Sequence, residues 1–466
     1  MTSDAPDGLP IPRRYRSMAA IWLALAMAVL DGAIANVALP TIAADLGASP
    51  ATSVWVINAY QLTITVLLLP LAALGDKLGY RRVYLPGLVL FTIGSAGCAL
   101  SHSLGMLIAA RVFQGVGAAC IMSMNAALVR DTYPARMLGR AIGYNAMVLS
   151  ACAAAGPSIA SLILTLGKWP WLFLINLPIG VAALAIGRKA LPDPRRHDVA
   201  LDAPAGLLAA GMMGLTVFGG ELAARADGKV GAALVAAGIA CAVLLVRRKK
   251  GKDAPLFPLD LLGIRLFRLS IMTSVISFAA QMLTFVALPF LLQSVLGRSV
   301  VATGLLMTPW PIALGIAASF SGRLADKVPS GLLGGIGLAL MAVALFALAH
   351  LGSAPSNFAI GWRMALAGLG FGLFQSPNNR TIVATAPRRR SGAAGGMLAT
   401  ARLTGQTIGA VTVAAAFHLA GVKATPTLFL AASIASLAAA AVSLLRLGEQ
   451  AGAKRAADQH HAALLD

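Results

Sequence analysis

Charge is scarce in this sequence. Of its 466 residues 12% are Asp, Glu, Lys or Arg and 58% are hydrophobic, with a mean hydropathy of +0.81. Soluble domains carry about a quarter charged residues, so a soluble fold would lack the polar surface it needs, and the bilayer is the solvent that suits this chain. Acid is scarcest, with 17 Asp and Glu against 37 Lys and Arg. The four cysteines, Cys98, Cys120, Cys152 and Cys241, are scattered through apolar runs. Without a CxxC pair or a Cys/His cluster, neither a disulfide framework nor a metal site is expected. His102, His350 and His418 fall at expected helix ends, and no Ser/His/Asp grouping stands out, so an enzyme is not expected. No phosphate-cradling G-x-x-x-x-G-K-[ST] loop occurs, so ATP is not expected to drive anything within this chain. No cofactor is called for.

What the sequence has is long apolar runs. A hydrocarbon core of about 30 Å needs about 20 apolar residues per helix. Such runs lie near 18–39, 54–74, 83–100, 104–129, 141–164, 171–191, 203–222, 230–246, 270–292, 303–320, 331–350, 358–376, 393–419 and 427–445. The expectation is an all-α polytopic membrane protein of about fourteen transmembrane helices. The first run follows Arg13, Arg14 and Arg16 and reads as a retained anchor.

The basic residues orient the chain. With both termini cytoplasmic, 29 of the 37 Lys and Arg fall on the cytoplasmic side and five outside, as the positive-inside bias requires. Arg446 is counted there as part of the cytoplasmic C-terminal end. Because the charge is spread loop by loop, nucleic acid is not an expected partner.

The sequence also repeats. Val37-Ala38-Leu39-Pro40 returns as Val286-Ala287-Leu288-Pro289, Asp76 as Asp326, Arg111 with its glycines as Arg363 with its own, and Asn125 as Asn378. The spacing stays close to 250 residues. This suggests a cytoplasmic N-terminus (1–17), a six-helix half (18–191), a loop with an inserted helix pair (192–252), a second six-helix half (253–446) and a cytoplasmic tail (447–466). Twofold repeats suit alternating access around a midplane site.

Four stretches carry chemistry. Gly75-Asp76-Lys77-Leu78-Gly79-Tyr80-Arg81-Arg82 sets one acid among bases in a cytoplasmic turn, with a second copy ending in Asp326. Together Gly75, Asp76, Gly79, Arg81, Arg82 and Asp326 read as a conformational latch. Arg111-Val112-Phe113-Gln114-Gly115 lies within a helix. Leu30-Asp31 through Leu39-Pro40 carries the only acid deep in a span. Trp169-Pro170-Trp171-Leu172-Phe173-Leu174-Ile175-Asn176-Leu177-Pro178 leads into the run 171–191. These stretches resemble signatures of the major facilitator superfamily, and their combination is similar to that of its fourteen-span drug:proton antiporters. Trp169 to Gly180 departs from that pattern by having Pro170 where Arg is usual. The antiporter signature of the fifth helix survives as Gly156-Pro157 with small neighbours, which implies a helix bend. The resemblance implies the major facilitator fold, with two six-helix halves and an inserted pair, in the bacterial inner membrane. It further implies proton-coupled efflux of small amphiphilic or drug-like compounds by a monomer, its partners being substrate, protons and lipid. The alternative is a proton-coupled transporter of one metabolite.

A charge in the bilayer costs a few kcal/mol even on lenient scales, so each needs a reason. Asp31 is the expected proton carrier. Arg111, at similar depth, is its expected partner. Asn58, Tyr60, Gln61, Gln114, Asn145, Gln281, Gln375, Asn378, Arg402 and Gln406 are candidate substrate contacts.

Overall fold

The computed structural model describes residues 8–134, 137–192, 203–225, 228–248, 259–325, 327–352, 354–386 and 391–462. Among these the chain is helical almost throughout and no strand occurs. In order the helices are α1 (Arg13–Asp45), α2 (Pro50–Ser53), α3 (Trp55–Leu78), α4 (Tyr80–Ala99), α5 (Leu104–Thr132), α6 (Leu138–Leu166), α7 (Trp171–Leu174), α8 (Asn176–Ala190), α9 (Ala203–Arg225), α10 (Gly228–Arg248), α11 (Arg265–Phe290), α12 (Val300–Met307), α13 (Pro309–Leu324), α14 (Ser330–Ala349), α15 (Asn357–Thr385), α16 (Ser391–Ala420) and α17 (Thr425–Ala462). Only helices satisfy every backbone group within one segment, which a bilayer demands of a chain without a closed barrel.

Polarity runs inside out. Leu166, Leu207, Ile316, Phe320, Phe358 and Leu419 are exposed, whereas Asp31, Asn58, Arg111, Gln114, Asn378 and Arg446 are buried. Eleven stretches of the described residues are long and apolar enough to cross a membrane, against the fourteen expected. The difference has three sources. Ala394–Glu449 counts as one stretch although it spans α16 and α17. In α9 only Gly206–Gly220 is apolar enough, and that is short. The third is α15, absent from the eleven, which carries Arg363, Gln375, Asn378, Asn379 and Arg380.

The chain forms two compact units. The first comprises 1–251 with 289–305 and 417–421; the second comprises 252–288, 306–416 and 422–466. In the first, α1 packs on α6 and α8, α5 packs on α3 and α4, and the α9–α10 pair rests on α3. Trp55 of α3 meets Phe218 of α9 edge-on at 6.0 Å between ring centroids. In the second, α15 packs on α13 and α14, and α14 on α17.

Local devices recur about 250 residues apart. Gly47 (φ +59°) and Gly297 (φ +60°) each make a left-handed turn, a conformation glycine adopts without penalty. Two residues later Ser49 and Ser299 each accept the backbone N–H three positions on, at 3.1 and 3.2 Å. Gly117 of α5 lies so close to α4 that a Cβ would stand 2.6 Å from the Gly87 oxygen. Gly370 of α15 faces Gly337 of α14 at 2.4 Å by the same measure. Small residues let helix backbones touch where no hydrophobic force drives association.

Candidate functional site

Asp31 and Arg111 meet. Asp31 is 2% exposed on α1 and Arg111 fully buried on α5, and the Arg111 Nη1 forms an ion pair with Asp31 Oδ2. Close packing brings them together. A Cβ on Gly115, one turn beyond Arg111, would sit 2.8 Å from Thr63 Cβ and 3.1 Å from the Tyr60 oxygen of α3. A Cβ on Gly156 of α6 would sit 2.5 Å from Ala33, two residues past Asp31.

The pair sits in a network of further hydrogen bonds. Arg111 also donates to Gln114 Oε1 at 2.6 Å and, through Nε, to the Val56 oxygen at 3.0 Å. Its guanidinium lies 4.0 Å from the Tyr60 ring centroid and 5.6 Å from that of Phe173, both within cation–π range. Asp31 Oδ1 accepts from Gln114 Nε2 and from Asn176 Nδ2, each at 2.9 Å. Ser95 Oγ on α4 accepts from the same two amides, at 2.7 and 3.3 Å. One arginine and two amides thus donate to the two oxygens of this carboxylate. Breaking such a buried pair from one side leaves the other charge uncompensated.

The tryptophan-rich stretch supplies part of this cluster through its spacing. Trp169, Phe173 and Asn176 recur at four and three residues, so a helical path sets them on one face. Trp169 Nε1 donates to Asp45 Oδ2 at the end of α1, at 2.6 Å. Phe173 flanks Arg111, and Asn176, the first residue of α8, reaches Asp31. Ser95, Phe173 and Asn176 were not singled out as site residues from the sequence; the spacing within Trp169–Asn176 was the signal available.

The other sequence-expected residues scatter. Tyr60 and Gln114 belong to the Asp31–Arg111 cluster, with the Tyr60 hydroxyl also donating to the Ala28 oxygen at 3.2 Å. Asn58 is buried with neither amide atom partnered among the described residues, and Asn145 is half-buried with its Oδ1 unpartnered. Gln61, Gln281, Gln375 and Gln406 are half-buried. Asn378 is fully buried and donates to Ser274 Oγ at 2.8 Å.

In the stretch around Asp76, Asp76 Oδ1 accepts the Tyr80 hydroxyl at 2.8 Å, and Arg130 Nη2 reaches that hydroxyl at 3.4 Å. The chain α3–α4–α5 is thus tied through a phenol. Gly79 (φ +95°) makes the turn, Gly75 is buried against Met124, Arg81 donates to the Arg188 oxygen, and Arg82 is exposed. Asp326 lies outside the described residues. The α6 helix runs without interruption through Gly156 and Pro157.

The structure gives two further arginines their partners. Arg446, counted with the cytoplasmic C-terminal end, is fully buried in α17. It donates to Asn378 Oδ1 at 2.5 Å, to Ser270 Oγ at 3.2 Å and to both oxygens of Ser443. Arg363 donates to the Ala347 oxygen at 3.1 Å and the Ala359 oxygen at 2.5 Å. It therefore caps the last turn of α14, where a cation suits the helix dipole.

A many-helix membrane chain with local devices that recur about 250 residues apart and a buried acid–base pair suits a secondary transporter. The sequence matches the Major Facilitator Superfamily over residues 21–410 and again over 271–465, and the chain belongs to that family of transporters. It is 50% identical to the uncharacterized transporter YebQ of Escherichia coli (strain K12), over 95% of this chain and 97% of that protein. It is 34% identical to the riboflavin transporter RibZ of Clostridioides difficile (strain 630), over 82% and 83%. With the multidrug efflux pump LfrA of Mycolicibacterium smegmatis it shares 29% identity over 87% and 82%. A solved structure of a POT family transporter in complex with a thioalcohol-conjugated peptide shares the fold, with a TM-score of 0.73 at 13% identity over 93% and 96%.

Proposed function

We propose that this transporter is a proton-coupled antiporter that exports small amphiphilic compounds across the bacterial inner membrane, as a monomer with both termini cytoplasmic. The observation that carries the reading is the buried Asp31–Arg111 pair. A membrane-embedded carboxylate is retained at a cost and can hold or release one proton. Protonating Asp31 cancels its attraction for Arg111. The guanidinium keeps Gln114 Oε1 and the Val56 oxygen but loses its counter-charge, so α1 and α5 are less strongly tied in the protonated state. One proton can thereby bias a two-state arrangement of packed helices. Likeness to LfrA supports efflux.

The test is transport in proteoliposomes under an imposed pH gradient, with a panel of amphiphiles of unrelated skeleton. Accumulation must follow the gradient in the wild type and vanish in Asp31→Asn. Wild-type gradient dependence in that variant would sink the reading. Likeness to RibZ supports a second reading, transport of one metabolite. Mutual competition among unrelated compounds favours export of many; competition by one compound and its close analogues alone favours the second.

A further inference from the structure

Between Asp260 and Glu449 the sequence holds a single carboxylate side chain, Asp326. Yet the arginines of α15, α16 and α17 include Arg363, Arg402 and Arg446. Two of these are accounted for. Arg363 caps α14, and Arg446 is wrapped by Asn378, Ser270 and Ser443. In the first unit Arg111 has Asp31. Arg402 differs from all three. It lies about three turns into α16, is half-buried, and its Nε is shut off from solvent with no hydrogen-bond partner among the described residues. No ion pair joins Arg402 to any described residue.

A guanidinium whose Nε is cut off from water without an acceptor forfeits that hydration and gains nothing in return. Its five donors form a planar fork that fits a carboxylate or sulfonate with two parallel hydrogen bonds. Gln406 stands one turn further along the same face of α16, where an amide could serve the remainder of a bound molecule. The flank of α16 near Arg402 is also tightly supported. A Cβ on Gly405 or Gly409 would stand 2.4 Å from the oxygens of Val275 and Ala279 of α11, so the backbone presenting Arg402 is held in place.

We propose that Arg402 is the recognition point for an anionic group on the substrate, so that the compounds handled are anionic amphiphiles, bearing a carboxylate or sulfonate, in preference to cations. This deepens the reading of the chain as an exporter of amphiphiles and rests on it for the word substrate.

The probes are 2-naphthoate, 2-naphthamide and protonated 2-naphthylmethylamine, which share a ring system and differ in charge. Binding to the purified full-length protein in detergent is measured at neutral pH by the shift in Tm and by titration. In the wild type the naphthoate binds about tenfold or more tightly than the amide, the size expected of a hydrogen-bonded charge, and the ammonium binds least. Arg402→Gln brings the three together, while Arg402→Lys keeps the order at reduced ratio. Equal binding of the three by the wild type, a preference for the ammonium, no binding of any, or an unchanged ratio in Arg402→Gln overturns the proposal. No proton gradient enters this measurement, so a failure of proton coupling and a failure of anion recognition are read separately.

Discussion

Asn176 and Asp31 are joined by a hydrogen bond of 2.9 Å, and the carboxylate oxygen that Asn176 holds is the one Gln114 also holds. Asn176→Ala removes one of the two amide donors from a buried carboxylate, and a hydrogen bond to a charged group contributes about 1.5–3 kcal/mol. The variant should lose stability of that order and slow gradient-driven transport, whereas Asn176→Gln, which keeps an amide, should lose less of both. Thermal unfolding and transport rates of the two variants check it. Equal losses in the two variants would reduce Asn176 to a packing role.

Asp31→Asn leaves Arg111 buried without its counter-charge, and breaking such a pair from one side costs about 3–5 kcal/mol. The single variant should therefore have a lower Tm in detergent as well as no proton-driven transport. Adding Arg111→Gln should restore much of the Tm and none of the transport. A double variant no more stable than either single one would show that the two charges do not support each other.

Tyr80 links Asp76 to Arg130 across α3, α4 and α5. Tyr80→Phe deletes the bridging hydroxyl and keeps the ring, and should slow transport as much as Asp76→Asn does while leaving substrate affinity within about twofold, since a change of about 0.4 kcal/mol is all that factor represents. Rates and affinities from one preparation settle it. A large loss of affinity with intact cycling would contradict a latch.

Gly370 faces Gly337 so closely that a Cβ would stand 2.4 Å from its oxygen, whereas a Cβ on Gly361 of the same helix meets nothing within 4 Å. Gly370→Val should destabilise the protein by about 1–3 kcal/mol through overpacking. Gly361→Ala should be neutral or slightly stabilising. Thermal unfolding of both variants in one detergent compares them, and equal Tm values would mean that the contact yields freely.

The sequence by itself determined the class of the molecule. Apolar runs of bilayer length, basic residues biased to one side and signatures spread over nearly the whole chain need no tertiary contact to be read, because the bilayer acts on each segment separately. Depth along a helix is likewise a one-dimensional quantity, and it put Asp31 and Arg111 at one level. What surrounds a side chain is not. Asn176 stood within a quoted stretch without a role, since only the packing of α8 against α1 turns its amide toward Asp31. Arg446 stands at the end of the last apolar run and counts in sequence only as one of the cytoplasmic bases; its partners come from α11 and α15, 176 and 68 residues away. Arg363 and Arg402 look alike in sequence, each an arginine inside an apolar run. The structure alone separates them, because a carbonyl of α14 lies within reach of the first, and no acceptor among the described residues reaches the Nε of the second.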